Sequence, residues 1–433
     1  MSDVAIIGAG VIGCSVALEL ARRGAEPIVI DRNGEVGHGS TSASCGIVRR
    51  FYSTPTMTAM AEAGAQVWAD WSAYLGANDG EDLARFERPG MLFLPQTFDD
   101  SVRGIMEHMQ QQGIGVELLS AEEIGKRFPF IDTKSHSPIR SPADDDFFDE
   151  TGRDLAGGIF EHGAGYVVSP SIATQNLRAA GEREGVSFRL GREVRAINRV
   201  ENSGHFRLSL EDGAVLEAET VVNVAGPHSS IVNDLAGTNL GIETRPLRRE
   251  VHAVQNPTFV EGEGSLVPVV GDLDSGIYLR PEAGGRDLVV GSLDPECDTM
   301  EWVDQPDELR VDCSAEDYER QVMRLMKRLP DAVLGNRRGA VGMYDVTPMD
   351  WNPVLDKTDL PGYFVAIGSS GSSFKTAPII GHVMAELIGA SASGQDHDRD
   401  PVHTVLPRTE FEVNLGFFSR LRGAHPSTGT VLG

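Results

Sequence analysis

The sequence predicts an α/β protein, and three features near its N-terminal end carry that prediction. A short apolar run, Val4–Ile7, stops at a glycine, which is typical of a buried strand. A segment rich in Ala and Leu follows and runs to Gly24, a residue that commonly ends a helix. A second apolar run, Pro27–Ile30, then reads as another buried strand. Strand, helix and strand in this order form the first unit of a Rossmann-type domain.

The turn between the first strand and the helix carries the pattern Gly8-x-Gly10-x-x-Gly13. Gly8 permits a tight turn, Gly10 lets the backbone approach a pyrophosphate, and Gly13 lets the helix pack closely on the strand. The helix N-terminus offers N–H groups to the phosphates, and Asp31 is placed to accept hydrogen bonds from a ribose. The pattern predicts a dinucleotide site for FAD or NAD. A second fingerprint is absent, so a separate NAD domain is not expected.

The length of the chain limits the number of domains, and its net charge argues against some classes of partner. The 433 residues are enough for two or three domains. Acidic residues outnumber basic ones by 64 to 38, which gives a formal net charge of −26. This balance argues against nucleic-acid partners and against docking on anionic membranes, and it is typical of a solubility surface.

Cysteine usage and hydropathy favour a cytoplasmic location. The chain has four cysteines, Cys14, Cys45, Cys297 and Cys313, and no CxxC pair. We therefore expect no disulfide framework, no zinc or other metal site and no redox dithiol. The N-terminus lacks the pattern of a signal peptide, and no apolar stretch reaches the ~18 residues of a membrane-spanning helix.

Four sequence blocks carry a family resemblance. They are the glycine turn, GSTSASCGIVRR at 39–50, VVNVAGPHS at 221–229, and AVGMYDVTP to FVAIGSSGSSFKTAPIIG within 340–381. In this order they resemble the D-amino-acid oxidase (DAO) superfamily of FAD enzymes, especially monomeric sarcosine oxidase, the sarcosine oxidase β subunit and dimethylglycine oxidase-type flavoproteins. The resemblance covers about residues 3–390. It implies an FAD-binding domain and a substrate domain with an antiparallel sheet, as in the glutathione-reductase-like fold.

The resemblance also implies a discontinuous division of the chain. The FAD-binding domain takes residues 1–88, 162–230 and 338–390. The substrate-binding domain takes residues 89–161 and 231–337. A C-terminal extension, 391–433, lies beyond the matched part and is expected to pack on its own subunit or on a partner, so both a homo-oligomer and a hetero-oligomer stay open.

Later elements of the FAD domain are expected around the cofactor. Strand Arg192–Ile197 passes the adenine, with Val194 reading the ring, and strand Val221–Ala225 ends beside the cofactor at Gly226. Strand Tyr363–Ile367, a glycine-rich loop and helix Phe374–Leu387 form an anion cradle for the flavin. The expected FAD-binding residues are Gly8, Gly10, Val11, Ile12, Gly13, Asp31, Arg32, Gly39, Ser40, Thr41, Ser42, Cys45, Gly46, Ile47, Val194, Ala225, Gly226, Gly342, Gly368, Ser370, Gly371, Ser372, Ser373, Phe374 and Lys375.

Four residues match catalytic positions of the family. Arg49 matches the arginine that grips a substrate carboxylate, and Lys375 matches a lysine that helps hold that carboxylate or the flavin. Tyr278 and Tyr344 are candidate aromatic walls. Other readings stay open: Arg49 as a surface ion pair, the tyrosines as core residues, and Arg280 as either an ion-pair partner or a substrate contact.

The implied chemistry is oxidation of an amine that lies beside a carboxylate. Hydride passes from carbon to flavin N5, and water hydrolyses the resulting imine. The expected substrate is an N-methyl or other secondary amino acid. The alternatives are a D-amino-acid or proline dehydrogenase of the same superfamily and a flavin subunit of a hetero-oligomeric electron-transfer complex.

Two departures from the family bear on cofactor and electron acceptor. Positions that carry a covalent flavin tether in relatives hold Gly342 and Ala43 here, so we expect noncovalent FAD. The oxygen-activating lysine of monomeric sarcosine oxidase aligns with Val289 or a neighbouring residue, and no lysine occurs between Lys134 and Lys327. A quinone or an electron-transfer protein is therefore as plausible an acceptor as O₂.

Overall fold

Two eight-stranded sheets organise the residues that this computed structural model describes, which are 2–77, 80–200, 204–261 and 267–430. The strands are β1 (Ser2–Ile7), β2 (Pro27–Asp31), β3 (Ile47–Val48), β4 (Phe86–Glu87), β5 (Met91–Leu94), β6 (Val116–Leu119), β7 (Gly158–Glu161), β8 (Gly165–Val167), β9 (Ser187–Leu190), β10 (Val194–Arg199), β11 (Phe206–Leu210), β12 (Val215–Asn223), β13 (Arg245–Gln255), β14 (Val269–Asp272), β15 (Ile277–Glu282), β16 (Asp287–Ser292), β17 (Gly339–Val346), β18 (Val354–Lys357), β19 (Tyr363–Ile367), β20 (His403–Val405) and β21 (Glu412–Asn414). The helices are α1 (Val11–Arg22), α2 (Pro55–Ala69), α3 (Trp71–Leu75), α4 (Asp100–Gln111), α5 (Ala121–Arg127), α6 (Pro170–Arg183), α7 (Ser229–Ala236), α8 (Ala315–Arg328) and α9 (Ala377–Ala392).

The first sheet contains the predicted nucleotide-binding unit. Its strand order is β10-β11-β12-β1-β2-β9, and β19 and β18 continue it beside β12. β1 runs parallel to both β12 and β2, as the Rossmann-type prediction requires. Helices α1 and α9 pack closely against each other, since a Cβ at Gly381 would lie 2.6 Å from the Ser15 carbonyl oxygen. The α/β fold class is therefore confirmed.

The second sheet has the order β17-β13-β16-β15-β14-β5-β7-β6. All its neighbouring pairs are antiparallel except β5 and β14, so the expected antiparallel sheet is mixed at that point. β17 belongs to this sheet because it pairs with β13 from Arg245 to His252. The sequence division placed 338–390 in the FAD-binding domain, and that division stays a prediction.

Element boundaries agree well where the apolar runs are short and isolated. The strand predicted at Tyr363–Ile367 has those bounds. The strand predicted at Arg192–Ile197 lies two residues later in the chain, and the one predicted at Val221–Ala225 ends at Asn223. The helix predicted from Phe374 begins at Ala377, with Pro378 in its first turn, because the preceding residues remain in the loop.

The C-terminal extension packs on its own chain in the part that the structure describes. Strands β20 and β21 form a hairpin after α9. Leu415 and Phe418 are fully buried in the core that also contains α1 and α9 residues. None of the described helices is both long and apolar enough to cross a membrane.

Candidate active site

A cavity of about 560 Å³ lies at the carboxyl ends of β1, β2 and β12 in the first sheet. Its size is within the usual range of small-molecule sites, and its position is where open α/β sheets bind their ligands. Most of the expected FAD-binding residues line it. These are Gly8, Gly10, Val11, Ile12, Asp31, Arg32, Gly39, Ser40, Thr41, Ser42, Val194, Ala225, Gly226, Gly342, Gly371, Ser373 and Phe374.

The glycine turn has the geometry that a pyrophosphate requires. Gly8 has φ +118°, and a Cβ there would overlap the Val224 carbonyl oxygen. Gly13 does not line the cavity; a Cβ there would overlap the Gly8 carbonyl oxygen, so it serves the packing of α1 on the turn. Gly10 is the N-cap of α1 without a side-chain cap, and the first turn carries no acidic residue. This N-terminus is therefore suited to an anion.

Asp31 is held in place at the end of β2. One carboxylate oxygen accepts a hydrogen bond from the Ala9 N–H at 2.7 Å, and the other accepts one from the Asn33 N–H at 2.7 Å. Each carboxylate oxygen has two lone pairs, so acceptor capacity remains for ribose hydroxyls. The turn, the open helix N-terminus and this carboxylate together fit FAD.

A second cavity, of about 50 Å³, adjoins the first, because Ser44, Tyr344, Gly371 and Phe374 line both. All four residues predicted to be catalytic meet here, together with five others that were expected to bind FAD: Cys45, Gly46, Ile47, Gly371 and Phe374. The remaining lining residues of this cavity are Cys45, Gly46, Ile47, Arg49, Met91, Tyr278, Leu293 and Lys375. The small cavity is thus a pocket with two cations and two tyrosines beside the cofactor cavity.

Lys375 is buried at the small cavity. Its Nζ donates hydrogen bonds to the Tyr52 hydroxyl at 2.9 Å and to the Ser372 carbonyl oxygen at 2.7 Å. Burial lowers the pKa of Lys375 from its ordinary value because the charged form is poorly solvated there. The Trp68 indole N–H donates to the Lys375 carbonyl oxygen at 2.8 Å and anchors the backbone.

Arg49 contacts the same tyrosine ring. Its guanidinium carbon is 4.2 Å from the centroid of Tyr52, and one Nη donates to the Phe51 carbonyl oxygen. Burial lowers the pKa of Arg49. Burial also acts to raise the pKa of Tyr52, but the positive charges of Lys375 and Arg49 outweigh it, and the net shift is downward. Tyr52 therefore joins the two cations.

Sequence reasoning did not assign a role to Tyr52, although it closes the block GIVRRFY three residues after Arg49. Arg50, the neighbouring cation, is turned away from the pocket. Its Nε lies 2.6 Å from a carboxylate oxygen of the buried Glu161, whose pKa burial raises. Arg50 is thus an ion-pair residue rather than a pocket residue.

Tyr278 and Tyr344 each pack against a glycine, where a larger residue would overlap the tyrosine side chain. A Cβ at Gly291 would lie 2.5 Å from the Tyr278 hydroxyl oxygen, and one at Gly371 would overlap the Tyr344 ring. The Tyr278 hydroxyl is 3.5 Å from Cys45 Sγ. Burial raises the pKa of both tyrosines, so both are neutral near pH 7. They give the pocket aromatic walls without adding charge.

Besides Gly13, three expected FAD-binding residues line neither cavity, and these three shape the loop after β19 instead. The Gly368 N–H donates to a carboxylate oxygen of Asp345 at 2.7 Å, and the Ser370 hydroxyl donates to the Gly368 carbonyl oxygen at 3.0 Å. The Ser372 carbonyl oxygen accepts from Lys375. These contacts fix the conformation of the loop that carries Gly371, Ser373 and Phe374.

Arg280, which sequence analysis left open, is an ion-pair residue in the structure. Its Nη2 lies 2.7 Å from a Glu282 carboxylate oxygen, and its guanidinium carbon is 4.6 Å from the Tyr166 ring centroid. It lines neither cavity. It is therefore not placed as a substrate contact.

The segment Pro306–Val311 lines the large cavity, and no sequence pattern marked it. Asp307 fastens it to the nucleotide-binding unit: Arg32 donates to its carboxylate at 2.6 Å, and His228 Nε2 lies 3.0 Å away. These partners are up to 275 residues apart in sequence. Only the tertiary fold brings them together.

Comparison with known proteins agrees with this geometry. Residues 3–387 match the protein family described as DAO, FAD dependent oxidoreductase. The chain is 29% identical to the FAD-dependent oxidoreductase domain-containing protein 1 of Bos taurus over 89% of its own length and 81% of that protein. It is 24% identical to the sarcosine oxidase subunit beta of Rhizobium meliloti over 90% and 85% of the two chains. The fold resembles L-proline dehydrogenase from P. horikoshii with a TM-score of 0.76, at 20% identity, covering 98% and 99%.

Proposed function

Because this chain belongs to the DAO family of FAD-dependent oxidoreductases and binds FAD, we propose that it oxidises the C–N bond of a small amine that carries a carboxylate. We further propose that the substrate is an N-methyl or other secondary amino acid. Arg49, Lys375, Tyr278 and Tyr344 are the proposed catalytic residues. The residues that line the large cavity, with the loop that Gly368, Ser370 and Ser372 shape, are proposed to hold FAD.

The observation that supports the substrate class is the pair of buried cations at one small pocket. Arg49 and Lys375 are 3% and 4% exposed, and both line the 50 Å³ cavity. Two positive charges at one cavity favour an anionic ligand, because a carboxylate accepts charge-assisted hydrogen bonds from both. The substrate carboxylate is therefore assigned to this position. A cavity of this size admits only a short substrate.

The chain's own residues position the amine. The carboxylate fixed by Arg49 and Lys375 sets the direction of the substrate, and the walls formed by Tyr278 and Tyr344 exclude water. Two nearby positive charges and burial disfavour a charged ammonium group, so the amine binds in its neutral form. When bound, FAD supplies the acceptor for the hydride that leaves the carbon beside nitrogen.

Noncovalent attachment of FAD is supported by the two positions at which relatives carry a tether. Ala43 and Gly342 both line the large cavity, and a Cβ at position 342 would lie 2.8 Å from the Ala43 Cβ. Neither residue has a nucleophilic side chain. We also propose a reducing, cytoplasmic location. The proposed electron acceptor is O₂ or a quinone or electron-transfer protein, with a slow reaction with O₂ because the aligned position, Val289 or a neighbour, holds no lysine that would stabilise developing superoxide.

Two alternative functions are each supported by one of the comparisons. The likeness in fold to L-proline dehydrogenase favours a proline or D-amino-acid dehydrogenase. The similarity to a sarcosine oxidase subunit favours a flavin subunit of a hetero-oligomer that relays electrons.

Anaerobic flavin bleaching tests the proposal. The purified protein is first acid-precipitated, and flavin in the supernatant is expected to show that it is not covalently bound. Intact protein is then mixed without oxygen with sarcosine, dimethylglycine, proline and D-amino acids, and absorbance near 450 nm is followed. N-methyl amino acids are expected to bleach the flavin, with formaldehyde or methylamine as product. Recovery on admitting air is expected to be slow.

Lys375→Met separates the carboxylate clamp from general damage. Loss of a hydrogen bond to a charged group costs about 1.5–3 kcal/mol, so kcat/KM for the preferred substrate is expected to fall about 10- to 150-fold. Lys134→Met, at an exposed ion pair with Asp154, is the matched control. Bleaching only by primary D-amino acids or proline would favour a D-amino-acid or proline dehydrogenase. No bleaching by any amine would favour a flavin subunit of a hetero-oligomer.

A further inference from the structure

Three residues capable of binding a metal meet outside both cavities. Glu250 and His252 lie two residues apart on β13, and Cys313 precedes α8. A carboxylate oxygen, an imidazole nitrogen and the Sγ of these residues lie within 4.8 Å of one another. None of the three lines the cofactor cavity or the small pocket. The cluster is therefore separate from the proposed active site.

The tautomer of His252 follows from its neighbour Gln321. The Gln321 Nε2 donates to the Glu250 carbonyl oxygen at 3.1 Å, so the amide oxygen faces the other way. That oxygen lies 3.1 Å from His252 Nδ1, which must therefore carry the proton. Nε2 of the neutral ring then presents a lone pair. A ligating histidine is commonly oriented in this way, with its other N–H given to a protein oxygen.

The lone pair of His252 Nε2 faces a second acceptor. It lies 3.2 Å from a carboxylate oxygen of Glu250, and His252 is 0% exposed. Within the described residues, Nε2 has no hydrogen-bond partner. Two acceptors this close repel each other unless a positive charge lies between them.

Glu250 has two further polar contacts. Arg248 Nη1 lies 2.6 Å from Oε1, and the Ser314 N–H donates to Oε2 at 2.9 Å. Oε2 also faces His252. Cys313 is only partly buried, so an ion can reach the cluster from solvent.

We propose that Glu250, His252 and Cys313 bind Zn²⁺. Thiolate, imidazole and carboxylate together are ligands typical of zinc in a four-coordinate site, and the two anionic ligands balance its charge. The sequence showed no such site because the three residues are separated by up to 63 positions and lack a short-range motif. The inference does not depend on the identity of the amine substrate.

The position of Cys313 indicates what the ion does. Cys313 lies between Val311, which lines the cofactor cavity, and Ser314, the N-cap of α8. Zinc bound to β13 and Cys313 ties this segment to the second sheet. The segment Pro306–Val311 is then held over the cofactor, and zinc is expected to slow the release of FAD.

The test measures zinc on the intact flavoprotein. Protein stripped with a chelator is incubated with zinc sulfate, freed of excess ion, and assayed for metal by mass spectrometry. Wild type is expected to retain about one zinc per chain. Cys313→Ser is expected to lose it, with affinity at least about tenfold weaker by competition with a chromophoric chelator. Cys297→Ser removes an exposed thiol outside the cluster and is expected to behave as wild type.

Two further measurements distinguish the loss of a zinc ligand from a general loss of folding. Each variant is melted with and without zinc, and only wild type and Cys297→Ser are expected to gain in Tm. X-ray absorption at the zinc edge is expected to show one sulfur among nitrogen and oxygen ligands. Equal zinc content in wild type and Cys313→Ser, or none in either, would overturn the proposal. The charge between His252 and Glu250 would then be a proton.

Discussion

At the scale of single residues, Asp345 connects the second sheet to the loop at the proposed active site. It ends β17 in a buried position, and its carboxylate accepts the Gly368 N–H while its carbonyl oxygen accepts the Ser370 N–H at 2.7 Å. Burial raises the pKa of Asp345 to about 7. The folded protein therefore holds a proton on this carboxyl group that the unfolded chain releases at lower pH.

This shift predicts a pH dependence of stability. Between about pH 4 and pH 7 the folded state binds one more proton than the unfolded state at this group, so its contribution to stability is complete below pH 4 and is lost as the pH rises towards 7. Asp345→Asn keeps the oxygen acceptor without titrating. Relative to the variant, wild type is expected to lose up to about 4 kcal/mol of unfolding free energy over this range. Urea unfolding at several pH values measures it, and a constant difference would contradict the prediction.

At the scale of elements, the turn between β1 and α1 separates two roles of glycine. Gly10 faces the cofactor cavity, and a Cβ there would lie 3.2 Å from Thr41 Oγ1. Gly13 faces the backbone of the same turn, where a Cβ would overlap the Gly8 carbonyl oxygen. One glycine leaves space for a ligand, and the other allows α1 to pack.

Alanine at these two positions is therefore expected to give different defects. Gly10→Ala should fold and weaken FAD binding, because the methyl group fills the approach of the pyrophosphate. Gly13→Ala should lower the stability of the FAD-free protein by about 1–3 kcal/mol, because the turn must move. Tm and FAD titration of both variants measure the difference. Equal loss of Tm in both would show that Gly10 is also a packing residue.

The predicted bounds of strands and helices were most accurate where a single residue type, such as a glycine, ends the element. The apolar strand Tyr363–Ile367 ends at a glycine and was placed correctly. The helix after it begins at Ala377 rather than Phe374, because Lys375 turns in the loop to reach Tyr52 and Ser372. That contact joins residues 323 positions apart, so local pattern could not reveal it.

At the scale of the whole molecule, the C-terminal extension is fastened to the first sheet by Arg420. Its side chain is 3% exposed and forms ion pairs with Asp356 at 3.2 Å, Asp398 at 2.7 Å and Asp359 at 2.5 Å. Asp356 lies on β18 and is fully buried. This network of ion pairs thus holds the C-terminal extension against β18, an edge strand of the first sheet.

Arg420→Met is expected to destabilise the protein by about 3 kcal/mol, because it leaves a buried carboxylate unpaired. Arg399→Met, at a residue whose side chain is 88% exposed, is the control and should change stability by less than about 0.5 kcal/mol. Urea unfolding measures both variants. A change below about 1 kcal/mol for Arg420→Met would show that the extension is not held by this network.

The sequence by itself determined the α/β class, the glycine turn with Asp31 and the FAD family, and it predicted four of the residues that line the small pocket. Each depends on local order along the chain: strand, turn and helix, or a block that matches the family. Only the tertiary structure decided that Tyr52 lies between Arg49 and Lys375, that Pro306–Val311 covers the cofactor cavity, and that β17 joins the second sheet. These contacts join distant segments, and their geometry is set by the packing of the two sheets rather than by neighbouring residues.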